Sequence, residues 1–154
     1  MKYIYKKQVN GRGRFGGAEL ELIKVYGKSK VIDKCEWKDW KKNNVDFQET
    51  PFMKSVKGYI LNSIDYTIRN YTSLHNFEIS LIDIQILPVD TLPSHILASA
   101  IIGFFELLDE SLNESEIKKI DYFITENEKI DFPDYQKLIG EFLDNNRQVK
   151  TGYN

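Results

Sequence analysis

Apolar and polar positions change period several times along the chain, and each change predicts an element. Tyr3 to Val9 is rich in aromatic and β-branched residues with no breaker, a strand pattern. Ala18 to Tyr26 alternates with period two: Ala18, Leu20 and Leu22 share one face, Glu19 and Glu21 the other. That is a strand with one buried face and one wet face. Val31 to Cys35 predicts a short third strand. Thr50-Pro51 is a good helix start, and Met53, Val56, Ile60, Ile64, Ile68 and Tyr71 follow at spacings of three and four, the stripe of an amphipathic helix. A turn is expected at Ser73–Asn76. Phe77 to Leu87 then predicts a long strand whose apolar parity switches between Leu81 and Ile82, which implies a bulge or burial of both faces.

Pro88–Pro93 predicts a loop. The helix expected over Ile96–Leu108 is apolar nearly all round and so should be buried. Asn113-x-x-Glu116 has the form of a capping box, and Ile117, Ile120 and Ile124 form a stripe behind it. A further helix is expected to start at Asp131-Phe132-Pro133, with Tyr135, Leu138, Ile139 and Phe142 on one face. The chain from Asn145 should be frayed.

Length adds one constraint. A chain of 154 residues fits a single domain, and a domain near this size hides roughly 70% of its unfolded surface. No run of about 18 apolar residues suggests a membrane span. Met1-Lys2-Tyr3-Ile4-Tyr5-Lys6-Lys7 lacks the apolar core of a signal peptide. Cys35 is the single cysteine, so no internal disulfide can form, and a reducing, cytoplasmic setting is expected. The formal net charge of −2 conceals an asymmetry. Residues 1–80 hold 15 Lys and Arg against 9 Asp and Glu, and residues 81–154 hold 6 against 14. The first part could offer a basic face to an anionic partner, or the two parts could pack together and neutralise each other.

The densest signal is Lys6-Lys7-Gln8-Val9-Asn10-Gly11-Arg12-Gly13-Arg14-Phe15-Gly16-Gly17, between the first two strands. Its glycines predict a tight exposed turn, with Arg12 and Arg14 projecting from the tip as permanent cations. Gly11-x-Gly13-x-x-Gly16 also matches a dinucleotide fingerprint, but that motif must open a helix and this one runs into a strand pattern. A turn that merely keeps the strands in water is the bland alternative. Trp37 and Trp40 beside Lys38, Lys41 and Lys42 could stack bases and hold phosphates, although such tryptophans more often close the edge of a core.

The glycine-rich stretch resembles the entry into domain IV of elongation factor G, a translational GTPase, whose first hairpin reads Lys-Gln-x-Gly-Gly-Arg-Gly-x-Phe/Tyr-Gly. Lys7, Gln8, Gly11, Arg12, Gly13, Phe15 and Gly16 stand in that pattern, and Asn10 replaces its first glycine. Ser55-Val56-Lys57-Gly58-Tyr59-Ile60 is similar to the family's Ala-Val-x-x-Gly-Ile helix. The resemblance covers about residues 3–108. It implies an α+β fold: a four-stranded, mainly antiparallel sheet with two helices on one face and a left-handed βαβ crossover. It also implies a far tip, built from the first hairpin and the loop before the second helix, that enters the ribosomal decoding centre. Here that second loop is shorter than the family's and holds no histidine, since His95 lies just inside the helix. The expected organisation is a domain IV-like unit over 1–110 and an acidic helical extension over 111–154 packed on it.

Other chemistry is thin. Two histidines and one cysteine make no zinc site, and there is neither a Walker A lysine motif nor a Gly-x-Ser-x-Gly elbow. Asp83 and Asp90 could form a carboxylate pair, but nothing in the sequence brings them to one substrate. The sequence therefore predicts a binding protein without catalytic residues, metal or nucleotide cofactor. It would engage ribosome or structured RNA through Gln8, Gly11, Arg12, Gly13 and Arg14. The alternative is a protein-interaction module, such as an inhibitor or immunity-type partner, that binds no RNA. No membrane partner is expected.

Overall fold

A computed structural model describes residues 1–42, 46–70 and 76–142. The expected turn at 73–75, the last helical stripe position at 71 and the expected frayed end from 145 lie outside them. Four strands form one mixed sheet in the order β1-β2-β4-β3: β1 (Lys2–Val9), β2 (Arg12–Lys24), β3 (Lys30–Asp33) and β4 (Phe77–Gln85). β2 pairs antiparallel with β1 and with β4, while β3 runs parallel to β4. Five helices complete the described chain: α1 (Lys38–Lys41), α2 (Pro51–Asn70), α3 (Pro93–Leu107), α4 (Glu114–Glu126) and α5 (Tyr135–Phe142). The α+β class and the four-stranded sheet agree with the reading of the sequence. None of the described helices is long and apolar enough to cross a membrane.

The parity switch in β4 is a bulge. Glu19 of β2 faces Asp83, but the next residue, Leu20, faces Leu81, so Ile82 is left without a partner. The extra residue lets Ile79, Leu81 and Ile84 all reach the core, where each is fully buried. α3 lies on β1 and β2, α2 lies on β3, and the two helices touch each other, so both cover one face of the sheet. Thr50 accepts from the Met53 N–H at 3.1 Å and caps α2, whose Met53, Val56, Ile60, Ile64 and Ile68 are buried. α3 is buried from Pro93 to Phe105 without interruption, as its all-round apolar pattern requires.

The C-terminal helices dock through the predicted stripes. Ile120, Ile124, Leu138, Ile139 and Phe142 are buried, and the Asn113–Glu116 capping box forms in both directions, at 2.9 and 3.0 Å. Aromatic rings join this part to α2: Tyr59 meets Phe132 at 5.3 Å and Tyr135 at 5.6 Å, edge-on. The Tyr59 hydroxyl donates to the Pro133 carbonyl, and burial pushes its pKa well above the usual phenol range. α5 begins at Tyr135 rather than at Asp131-Phe132-Pro133 because Pro133 sits in the connection and is not the first helical residue. Other limits move by a few residues: β2 stops at Lys24, β3 at Asp33, and α3 starts at Pro93.

Candidate functional site at the hairpin end

The turn between β1 and β2 is far tighter than the glycine count suggests. Val9 pairs with Arg12, leaving Asn10 and Gly11 as the two turn residues. Both have left-handed backbone, φ 51° and 77°, the geometry that suits a right-twisted two-residue hairpin. Asparagine tolerates that region, which explains how Asn10 stands where the related pattern has glycine. Gly13, Gly16 and Gly17 lie within β2, so the expectation of one long turn is corrected. Their function is close approach. A Cβ on Gly16 would lie 2.5 Å from the His95 carbonyl carbon, so glycine is what lets α3 settle on β2. No helix opens at this motif, which removes the dinucleotide reading.

Arg14 is the main correction. The sequence places it at the exposed tip, but it is only 4% exposed. Its Nη2 lies 2.9 Å from Glu128 Oε1 and 2.9 Å from Thr125 Oγ1. α4 and the residues just after it therefore cover one side of the hairpin. Lys7 pairs with Asp121 at 3.7 Å, and the Tyr5 hydroxyl donates to the same carboxylate at 2.7 Å. Burial first, and then Asp121, raise the Tyr5 pKa well above the phenol range, so this proton stays in place. Gln8, Gly11 and Arg12 remain exposed, and Gly13 is half-buried.

The loop between β4 and α3 closes on the same end. The Phe15 N–H donates to the Asp90 carbonyl at 3.1 Å, and a Cβ on Gly13 would touch the Asp90 carboxylate at 3.0 Å. Behind the loop, His95 is buried and stacked on Tyr5 with ring centroids 6.0 Å apart. Its Nδ1 lies 3.0 Å from Leu92 N and 2.9 Å from the Asp90 carbonyl, so either tautomer finds a partner. Burial, then the nearby Arg14 charge, hold the imidazole pKa below its ordinary value. A polar cleft of about 240 Å³ results, with Arg12, Asp90, His95 and Glu128 on its walls.

The other sequence candidates separate. Asp83 is buried and accepts from the Lys38 and Asp39 N–H groups at 2.9 and 3.1 Å, which fixes the start of α1, whereas Asp90 packs on Gly13. They do not form a working pair. Trp37 is 1% exposed and cannot stack a base, while Trp40 is half-buried. Among the described residues no group of three or more His, Cys, Asp or Glu could hold a metal ion. Cys35 is buried and its thiol is pushed up to about 11, chiefly by desolvation. Sequence reasoning missed the apolar side chains of the second loop, Leu87, Val89 and Leu92, all exposed at this end. Val89 and Leu92 stand inside the proline-bounded loop, which was the available signal, whereas Leu87 was read as the end of the strand and β4 stops at Gln85.

No family model matches the chain, and no curated protein matches it. Among solved structures it is similar to the crystal structure of a Thermus thermophilus protein designated ttk003000868. The identity is 15%, the TM-score 0.46, and the match covers 65% of this chain and 14% of that one.

Proposed function

We propose that the chain is a non-enzymatic binding protein on a scaffold like domain IV of elongation factor G, and that the β1–β2 end is its docking end. The observation that carries this reading is the convergence of the two-residue hairpin tip and the β4–α3 loop, tied by the Phe15–Asp90 hydrogen bond. A protein partner suits this end better than nucleic acid. Nucleic-acid interfaces are strongly positive, whereas Arg14 and Lys7 here are already paired with Glu128 and Asp121. What this end offers outward is one arginine, Arg12, beside exposed aliphatic side chains. Arginine and apolar anchors are the usual energetic centres of protein interfaces. The ribosome or RNA reading is the second one, supported by exposed Lys6, Gln8 and Arg12 in the motif that resembles the family's.

A photo-crosslinking amino acid at Gln8, with Tyr26 just past the far end of β2 as control, tests both readings in cells. A protein adduct at Gln8 that is absent at Tyr26 and lost with Arg12→Gln is the expected result. An RNase-sensitive adduct would transfer the site to RNA, and Arg12→Gln should then flatten the salt dependence by about 0.7–0.9 in log–log slope per lost phosphate contact. Equal adducts at the two positions, or none, would remove the docking end.

A further inference from the structure

Beside the polar cleft, on the other side of Leu92, lies an apolar pocket of about 170 Å³. A cavity of about 150 Å³ is enough for one benzene ring. Trp37, Trp40, Phe52, Leu87, Leu92 and Ile96 lie among its walls. Phe52, Leu87 and Leu92 are exposed at its mouth, and Val89 in the same loop is 95% exposed. Phe52 also touches Phe132 at 5.9 Å, which extends the apolar surface onto the connection between α4 and α5.

Trp37 in the wall is unusual in two ways. Its backbone is left-handed at φ 57°, a region that bulky residues rarely adopt. Its indole N–H is buried and has no acceptor among the described residues. Native proteins pair nearly all such groups, and sparsely populated backbone conformations gather at ligand clamps.

We infer that this pocket takes one large apolar side chain of a partner polypeptide, and that Arg12 across Leu92 selects a carboxylate next to it. The inference rests on the protein-partner reading above and names that partner's chemistry. The rim decides for a polypeptide: a small molecule filling the pocket would leave the exposed sides of Leu87 and Phe52 in water, whereas a chain lying across the mouth covers them. Arg12 decides the charge, since it is exposed and makes no ion pair among the described residues, while Arg14 close by in the same strand is neutralised by Glu128.

The test uses the full ¹⁵N-labelled chain and four probes: the N-acetyl amides of Phe-Asp, Phe-Lys and Ala-Asp, and adenosine monophosphate. Phe-Asp should shift the Trp37 indole N–H and the Leu92 amide saturably, and several-fold more tightly than Phe-Lys. Ala-Asp should leave the Trp37 signal in place. Arg12→Gln should erase the preference for Asp over Lys but keep the need for Phe, and Leu87→Asp at the exposed mouth should abolish both. If none of the peptides moves the Trp37 signal, or the nucleotide moves it and they do not, the inference is wrong. The crosslink at Gln8 separates the two levels: an unchanged protein adduct in Leu87→Asp keeps the docking end and discards the pocket. Saturable Phe-Asp binding without any Gln8 adduct does the reverse.

Discussion

At the scale of residues, the polar cluster beneath the hairpin makes stability depend on pH in a definite direction. His95 sits in the fold with its pKa lowered from 6.5, by burial first. The groups facing it are the Asp90 and Phe15 backbone, the charges of Arg14 and Glu128, and the Tyr5 ring. Below 6.5 the unfolded chain takes up a proton that the folded chain refuses. Stability is therefore full above that value and is lost as pH falls from it toward the lowered folded value. Urea midpoints should drop across this window, and His95→Gln should make the dependence flatter; identical slopes would mean that His95 does not control it. None of this cluster was legible from sequence. Arg14 meets a partner 114 positions away, and a glycine-rich context gave no reason to expect an arginine to be covered. By contrast, the Asn113–Glu116 cap was legible, because a cap is decided within four residues, and Asn10-Gly11 carried a two-residue hairpin signal that the reading of one long turn passed over.

At the scale of elements, two glycines on opposite sides of the core give opposite expectations. Gly16 in β2 has the backbone of His95 and Ile96 where a Cβ would go, at 2.5 and 2.6 Å. Neither atom can rotate away, so Gly16→Ala should cost about 1–3 kcal/mol or more by prying α3 from β2. Gly58 in α2 has open space at the same position, so Gly58→Ala should raise stability by about 0.5–1 kcal/mol through helix propensity alone. Chemical denaturation of the two variants against the parent chain decides both. The elements themselves were readable where one period persisted: the stripe of α2 holds from Met53 to Ile68, and the alternation of β2 holds over Ala18–Leu22. The bulge at Ile82 was visible as a parity switch, since inserting one residue exchanges the faces of everything after it. The glycine run misled because Gly13 makes room for Asp90, Gly16 for the start of α3, and Gly17 for Ile4 and Gln85, tertiary demands that look the same in sequence as a turn.

At the scale of the whole molecule, the C-terminal helices share the core with the sheet. Phe105 of α3 meets Phe142 of α5 at 6.4 Å, and Ile120, Ile124 and Ile139 are fully buried. Amide exchange should therefore find protected backbone over Ile117–Ile124 and Leu138–Phe142, close to the protection of β4. Exchange as fast as in an unfolded peptide would contradict the packing. The charge asymmetry finds part of its explanation here, because acidic residues of α4 and its C-terminal end lie against the basic hairpin at Lys7–Asp121 and Arg14–Glu128. Composition gave the two signs but not the contact, which only the folded chain supplies.

The strand order β1-β2-β4-β3 also sets a schedule. β4 lies between β2 and β3, yet among the described strands it is the last to be synthesised, and the 20 residues of α2 precede it. The β1–β2 hairpin closes locally and can form as soon as residue 24 is free, whereas the centre of the sheet must wait for residues 77–85. Until then β2 presents an open backbone edge on the side that β4 will later occupy, and Leu20 and Leu22 lie on one face of a two-stranded ribbon. A nascent chain is thus most exposed to wrong pairing between the completion of its first hairpin and the insertion of its central strand. The lysines of β1 guard the outer edge of the sheet afterwards, while Glu19, Glu21 and Lys24 are the charges that β2 carries on the edge that β4 will close.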